Sequence, residues 1–256
     1  MSTLNGELPS IELLGMRIHA LRLVDVVDLC DQAIRERRPL HLGVVNAAKL
    51  VRMRSDQVLR EAVSDSDVIL ADGMSVVWAS RLLGQPLPER CAGIDLMFAL
   101  LRRAAERGYR VYCLGAEPEV LARAVEAIRQ MFPGVAVVGQ QHGYFREDQE
   151  TEIVRNINAS RADILFVAIT SPKKEQFLAR WDQRLAVPVR HGVGGSFDVL
   201  AGKVRRAPRW VQRVGLEWAY RLGQEPGRLW KRYFVTNPLF AWLVVKELFT
   251  RPKQPD

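Results

Sequence analysis

"VILADGMSVVWASRLLG" spans residues 68–84. Its first four residues are an unbroken aliphatic run, and Asp72 and Gly73 follow at once. A run that short, closed by a polar residue and a glycine and followed by a helix-like segment, reads as a buried strand leading into a helix. The same unit recurs on both sides. "LHLGVVN" (40–46) precedes an amphipathic stretch to about Val63, and "RVYCLG" (110–115) precedes "AEPEVLARAVEAIRQMF". "VAVVG" (135–139) is followed by a loop with Gly143. "DILFVAIT" (163–170) precedes "SPKKEQFLARWDQRL", and "VPVRHGVGG" (187–195) leads to "SFDVLAG". Strands alternating with helices predict an α/β fold with a mostly parallel sheet and helices on both faces. "GIDLMFALLRRAAER" (93–107) predicts one more helix, and "IELLGMRIHAL" a small β element near the start.

The chain has 256 residues, 48 % of them apolar and 26 % charged, enough for a real core and against general disorder. The net charge of +8 is unevenly placed. From Lys203 onward there are twelve Lys or Arg against four Asp or Glu, an excess of eight, so residues 1–202 balance to zero. Four of the six Trp lie in that same tail. The division predicts an α/β body over 1–202 and a basic, aromatic-rich helical appendage over 203–256 that faces an anionic object. Pro208, Pro226 and Pro238 each mark a helix start, which predicts three short helices, with Trp210, Val214, Trp218 and Leu222 on one face of the first. The longest apolar run of the tail, "LFAWLVV", is far short of the roughly 20 residues a spanning helix needs. The N-terminus lacks the pattern of a signal peptide. Three scattered cysteines, Cys30, Cys91 and Cys113, predict a reduced cytosolic protein, and the four His have no metal-ligand spacing.

In parallel sheets, ligands bind beyond the carboxyl ends of the strands. Asn46, Asp72, Gly73, Gly115, Thr170, Ser171 and Gly192 to Gly195 are expected there. A carboxylate at Asp72 suits a proton acceptor or a partner for a ribose hydroxyl, and equally an N-cap for the helix beginning near Met74. "HGVGGSFD" (191–198) is either a phosphate-binding turn at a helix N-terminus or a tight turn packing strand on helix. It matches neither the dinucleotide fingerprint nor the P-loop. "DSD" (65–67) falls at the amino end of the sheet and reads as a solvated turn. Arg90 lies on a Pro-rich turn, where only a crevice location would make it a phosphate clamp.

Taken together, "VVNAAKLV", "ILADGMSVVWASRLLG", "ERCAGIDL", "LGAEPEVL", "FPGVAVVGQQHGYF", "SPKKEQF" and "GVGGSFDVLAGKVRRAPRWVQRVGLEWAYRLGQEPGRLWKRY" resemble, in order and spacing, the WecG/TagA/CpsF glycosyltransferases (glycosyltransferase family 26), over roughly residues 12–245. The resemblance implies a Rossmann-like core with a C-terminal helical appendage that completes the site at the membrane. It implies an inverting, metal-independent transfer from a UDP-sugar (UDP-N-acetylmannosamine, its uronic acid, or UDP-glucose) to a polyprenyl-diphosphate-linked saccharide. The products are precursors of exopolysaccharide, capsule or teichoic acid. No cofactor is implied, the UDP-sugar being a substrate. The location implied is cytoplasmic and peripheral, on the anionic inner face of the bacterial membrane, and the resemblance also implies self-association.

Carried over by position, Asp72 is the implied catalytic base. Asn46, Gly73, Arg90, Asp95, Ser171, Lys174, Gly194 and Gly195 are the implied substrate-binding set. Arg206, Arg221, Arg228, Lys231 and Arg232 are the implied contacts to lipid diphosphate or membrane. Three positions depart from the family pattern: Val44 stands where Thr is usual, Lys174 where Gln is usual, and Lys231 where Arg is frequent. The first two put donor and acceptor identity in question. A nucleic-acid-binding α/β protein using the basic aromatic tail is the alternative, although no RNA- or DNA-binding signature is present.

Overall fold

The computed structural model describes residues 8–250, with every side chain of that span except Arg228. The chain opens with an antiparallel hairpin, β1 (Ser10–Leu13) and β2 (Met16–His19). Its two-residue turn puts Leu14 and Gly15 at φ of 54° and 72°, the left-handed pairing that matches strand twist. After α1 (Leu23–Arg35) come β3 (Leu40–Val45), α2 (Ala47–Arg52), α3 (Gln57–Ser64), β4 (Val68–Ala71), α4 (Met74–Leu82) and α5 (Gly93–Arg107). Then follow β5 (Arg110–Gly115), α6 (Pro118–Met131), β6 (Ala136–Gln141), α7 (Glu150–Ala159), β7 (Ile164–Ala168), α8 (Lys173–Trp181), β8 (Val189–Gly192) and α9 (Ser196–Leu200). The tail holds α10 (Arg209–Arg213), α11 (Glu217–Gln224) and α12 (Pro226–Thr250).

Six strands form one sheet in the order β4-β3-β8-β7-β5-β6, and every pairing is parallel. Both faces are covered, which is why β4 (VILA) and β7 (ILFVA) are apolar throughout rather than alternating. Ile164, Phe166 and Ala168 of β7 join a core with α1, α5, α6 and α9, while Leu165 and Val167 join a second core with α7 and α8. Val68 and Leu70 of β4 face the first core, and Ile69 and Ala71 face a third one made by the hairpin, α2, α3 and α4. β3 leads outward to β4 at one edge and β5 to β6 at the other. The direction of winding therefore reverses inside the sheet, which leaves a crevice at the strands' carboxyl ends.

The sequence expectation of a parallel α/β sheet with a C-terminal helical segment agrees with this architecture. The helix limits within the tail do not. The segment after Pro208 is broken at Gly215, so Trp210 and Trp218 lie on different helices and share no face. Gly215 has φ +65°, and a β-carbon there would stand 2.3 Å from the Trp78 indole. Only glycine fits that turn. Pro238 does not start a helix but lies inside α12. A proline there removes a backbone hydrogen bond and strains the preceding turn. Packing outweighs that cost: Phe240, Leu243 and Val244 are buried in the core of the hairpin and α2, and Glu247 accepts the Leu14 N–H at 3.0 Å. Thr236, two residues before the proline, donates its hydroxyl to the Arg232 carbonyl at 2.6 Å, a back-bond of the kind that bends helices.

The "DSD" segment lies at the amino edge as a turn with Asp65 and Asp67 exposed, as expected, and is in addition tied to the sheet. Asp67 accepts the His41 N–H at 2.6 Å, and Ser66 is buried against Gly43. The carboxylate satisfies a backbone donor at the entrance of β3 that no strand partner reaches.

Candidate active site

Asp72 leaves β4 at the crevice. Its N–H continues the ladder to the Val45 carbonyl at 2.8 Å, and its Oδ1 accepts the Gly93 N–H at 2.9 Å. The N-cap of α4 is Gly73, with no side-chain bond, so Asp72 does not cap its own helix. It instead spans to the first turn of α5, where the helix dipole favours a negative charge. The loop that brings Gly93 there is pinned by the Cys91 N–H, which donates to the Ala71 carbonyl at 2.9 Å. Asn46 stands beside Gly73: a β-carbon on Gly73 would lie 3.6 Å from Asn46 Cβ. Asn46 caps α2, accepting the Lys49 N–H at 3.1 Å.

Arg90 and Asp95, five residues apart, meet Arg206 of the tail above this loop. Arg90 Nη2 donates to Asp95 Oδ2 at 3.2 Å, and Arg206 Nη2 to Asp95 Oδ1 at 2.6 Å. Two residues that sequence reasoning passed over complete the group. Gln212 Oε1 accepts from both guanidinium groups, at 3.2 and 3.1 Å, and Glu217 Oε2 accepts from Arg90 Nη1 at 2.6 Å. Burial works against the Arg90 charge, but Glu217, Asp72 and Asp95 outweigh it and hold its pKa above the ordinary value. Glu217 and Gln212 belong to the tail, so this cluster is where α10 and α11 are fastened to the α/β body. A Gln and a Glu among many basic residues give no local signal of that role.

Gly194, at φ +54°, and Gly195 form the turn into α9. A β-carbon on Gly195 would be 3.4 Å from Arg221 Nη2, so α11 delivers Arg221 to this turn. Ser171 is exposed at the turn after β7. Lys231 and Arg232 are exposed on α12, stacked on the rings of Trp230 and Tyr233 at 5.7 and 5.9 Å. The Arg228 side chain lies outside the described residues.

Lys174 sits in the interior, 7 % exposed, not on the open crevice. Its Nζ is 3.2 Å from Glu175 Oε1, and Lys49 Nζ reaches the same oxygen at 2.9 Å while donating to the Val44 carbonyl at 2.7 Å. Gly192 makes room for it: a β-carbon there would stand 2.7 Å from the Lys174 chain. The departures at Val44 and Lys174 are thus neighbours, lining one cavity of about 10 Å³ with Lys49, Glu175, His41 and Ser66. Burial alone would raise the Glu175 pKa, but the Lys174 and Lys49 charges outweigh it and bring it to about 2. Burial lowers Lys49 to about 8, with Lys174 acting in the same direction. Among the described residues no cluster of three or more His, Cys, Asp or Glu side chains is arranged to hold a metal.

Fold and site define an α/β protein with a crevice at the carboxyl edge of a parallel sheet, under a basic helical tail. The chain belongs to the WecG/TagA/CpsF family of glycosyltransferases, whose sequence profile matches residues 11–254. A relative from Bacillus spizizenii, N-acetylglucosaminyldiphosphoundecaprenol N-acetyl-beta-D-mannosaminyltransferase, is 40 % identical over 187 residues, covering 73 % of this chain and 71 % of its own.

Proposed function

We propose that the enzyme transfers an N-acetylmannosamine-type sugar, with inversion, from its UDP conjugate to a saccharide on polyprenyl diphosphate, in cell-surface polysaccharide assembly. The observation that carries this reading is Asp72. Its carboxylate stands at the end of β4, is oriented by the Gly93 N–H, and lies within the field of Arg90. A sugar hydroxyl attacks well only when its proton is taken in the transition state. The acceptor O–H proton goes to Asp72, the acceptor oxygen bonds the donor C1, and the C1–O bond to the diphosphate breaks. The departing UDP carries the electron pair, and Arg90, Arg206 and Arg221 counter its charge as fixed cations. The relative's name supports the sugar and the class of acceptor.

A lipid-linked acceptor supports a reaction at a membrane surface, which we read as the inner face. No described helix is long and apolar enough to cross a bilayer. Trp210 and Phe234 are 68 % and 69 % exposed, with Trp230 and Trp242 also open, among the tail's Arg and Lys. Aromatic rings and cations of that kind favour the headgroup layer.

The test is turnover of UDP-N-acetylmannosamine with a short-chain N-acetylglucosaminyl-diphosphopolyprenol, comparing the intact enzyme with Asp72→Asn. The expected result is transfer by the former and a loss of roughly 10²–10⁴ in kcat for the latter. Undiminished transfer by Asp72→Asn overturns the assignment of the base, and no transfer with any UDP-sugar overturns the reaction class.

A further inference from the structure

His191 is wholly buried at the end of β8, where its ring meets Phe166 edge-on at 6.3 Å between centroids. Its Nε2 lies 2.9 Å from the Gly93 carbonyl oxygen. A carbonyl only accepts, so the hydrogen-bond network assigns the proton to Nε2. Burial lowers the ring's pKa to about 4. Lys174 acts in the same direction, and Asp72 opposes it together with the Gly93 contact. The neutral ring has one N–H, and that N–H goes to Gly93. The same glycine donates its own N–H to Asp72 Oδ1. Two hydrogen bonds therefore run in series from the floor of the sheet to the carboxylate. The charged groups around Asp72 itself are Arg90 and Lys49.

We propose that His191 and Gly93 are positioning residues for Asp72: His191 anchors Gly93 through its carbonyl, and the N–H of the same residue, on the preceding peptide, holds Oδ1, which leaves Oδ2 as the oxygen that takes the acceptor proton. The inference rests on Asp72 as the base. A carboxylate on a short side chain after a strand end has two free torsions. Fixing one oxygen from a buried, rigid group removes that freedom before substrate arrives, and a misplacement of about 1 Å at a reacting group costs on the order of 10²-fold in rate.

Gly93 offers one test. It is the first residue of α5, where proline is tolerated, and Ala92 before it has φ −69° and ψ 137°, a conformation that a following proline accepts. Gly93→Pro removes the N–H, but its Cδ takes the place of that hydrogen against Asp72 Oδ1, so full activity there counts against the proposal while a loss is read only beside the His191 pair. Gly93→Ala keeps the N–H, its β-carbon meeting Gly192 O at 3.7 Å and the His191 ring at 3.8 Å, ordinary contact distances. The companion pair is His191→Leu, which deletes the donor, and His191→Gln, whose amide N–H stands in for Nε2–H.

Expected are kcat losses of roughly ten- to a hundred-fold for Gly93→Pro and His191→Leu. The UDP-sugar KM should change little, and Gly93→Ala and His191→Gln should retain most of the turnover. In an Asp72→Asn background, His191→Leu should reduce the residual rate no further, because it acts through Asp72. Wild-type kcat in both donor-deleting variants, or losses that multiply with that of Asp72→Asn, overturns the positioning role and leaves the base assignment standing. Full activity of Asp72→Asn alone removes the base reading instead. If His191→Leu does not fold, His191→Phe, which keeps a ring and lacks the donor, takes its place.

Discussion

Replacing Glu175 by Gln tests the buried charge cluster beneath the crevice. In the native protein one carboxylate serves two ammonium groups, with Lys49 and Lys174 at 2.9 and 3.2 Å from the same oxygen. Both pKa values fall, which favours the Glu175 anion and disfavours the Lys49 cation, for one physical reason. With two cations to one anion, Glu175 gains from both lysines, whereas Lys49 suffers burial and repulsion from Lys174. Glu175 falls from 4.5 to about 2, a depressed carboxylate. Its stabilisation is therefore fully present above about pH 4.5 and is lost as pH falls through about 2. The displacement corresponds to about 3 kcal/mol, at the low end of the ~3–5 kcal/mol for removing one member of a buried pair. In a protein of this size that is a fall in Tm of about 6–20 °C.

With Glu175 gone, Lys49, which burial already lowers to about 8, loses the carboxylate that opposed that shift and gives up its proton at lower pH still. Above that pH the unfolded chain binds more protons than the folded one, so the variant gains stability relative to wild type as pH rises from 7 to 10. Urea unfolding of wild type, Glu175→Gln and Lys174→Gln at pH 7 and 10 reads this directly. The deficit of Glu175→Gln should narrow at pH 10, and Lys174→Gln, which leaves one cation to one anion, should cost far less at pH 7. A deficit under about 1 kcal/mol at pH 7, the size of a surface pair, or one equal at both pH values, refutes the reasoning.

Two further outcomes concern the tail. Glu217→Gln removes the anion that receives Arg90 Nη1, so limited trypsin digestion should cut between residues 203 and 217 faster than in wild type, with slower sugar transfer. Equal cleavage rates would show that the cluster does not fasten the tail. Trp210→Ala with Phe234→Ala removes two exposed rings, so stability should move by no more than about 0.5 kcal/mol per site. Flotation with phosphatidylglycerol vesicles should weaken by about ten-fold, equivalent to about 1.4 kcal/mol. Unchanged flotation would remove the membrane role of these rings.

The chain by itself determined the class of fold, because burial on two faces leaves a local mark. "VILA" and "ILFVA" are aliphatic throughout, and the helices between them are amphipathic over a few turns, so short windows suffice. Local signals likewise put Asp72, Asn46, Gly194 and Gly195 at strand ends, and the uneven charge set the tail apart. Only the tertiary structure decided what those residues touch. Arg90 and Glu217 are 127 positions apart, and His191 and Gly93 are 98 apart. No local period encodes such pairs. The helix through Pro238 reads as two from propensity alone, and is one because Phe240, Leu243 and Val244 bury against α2 and the hairpin. The Asp72 carboxylate could have capped its own helix. It reaches α5 instead because the loop at Cys91 and the buried His191 bring the Gly93 N–H to it, and three-dimensional packing alone sets that choice between two donors.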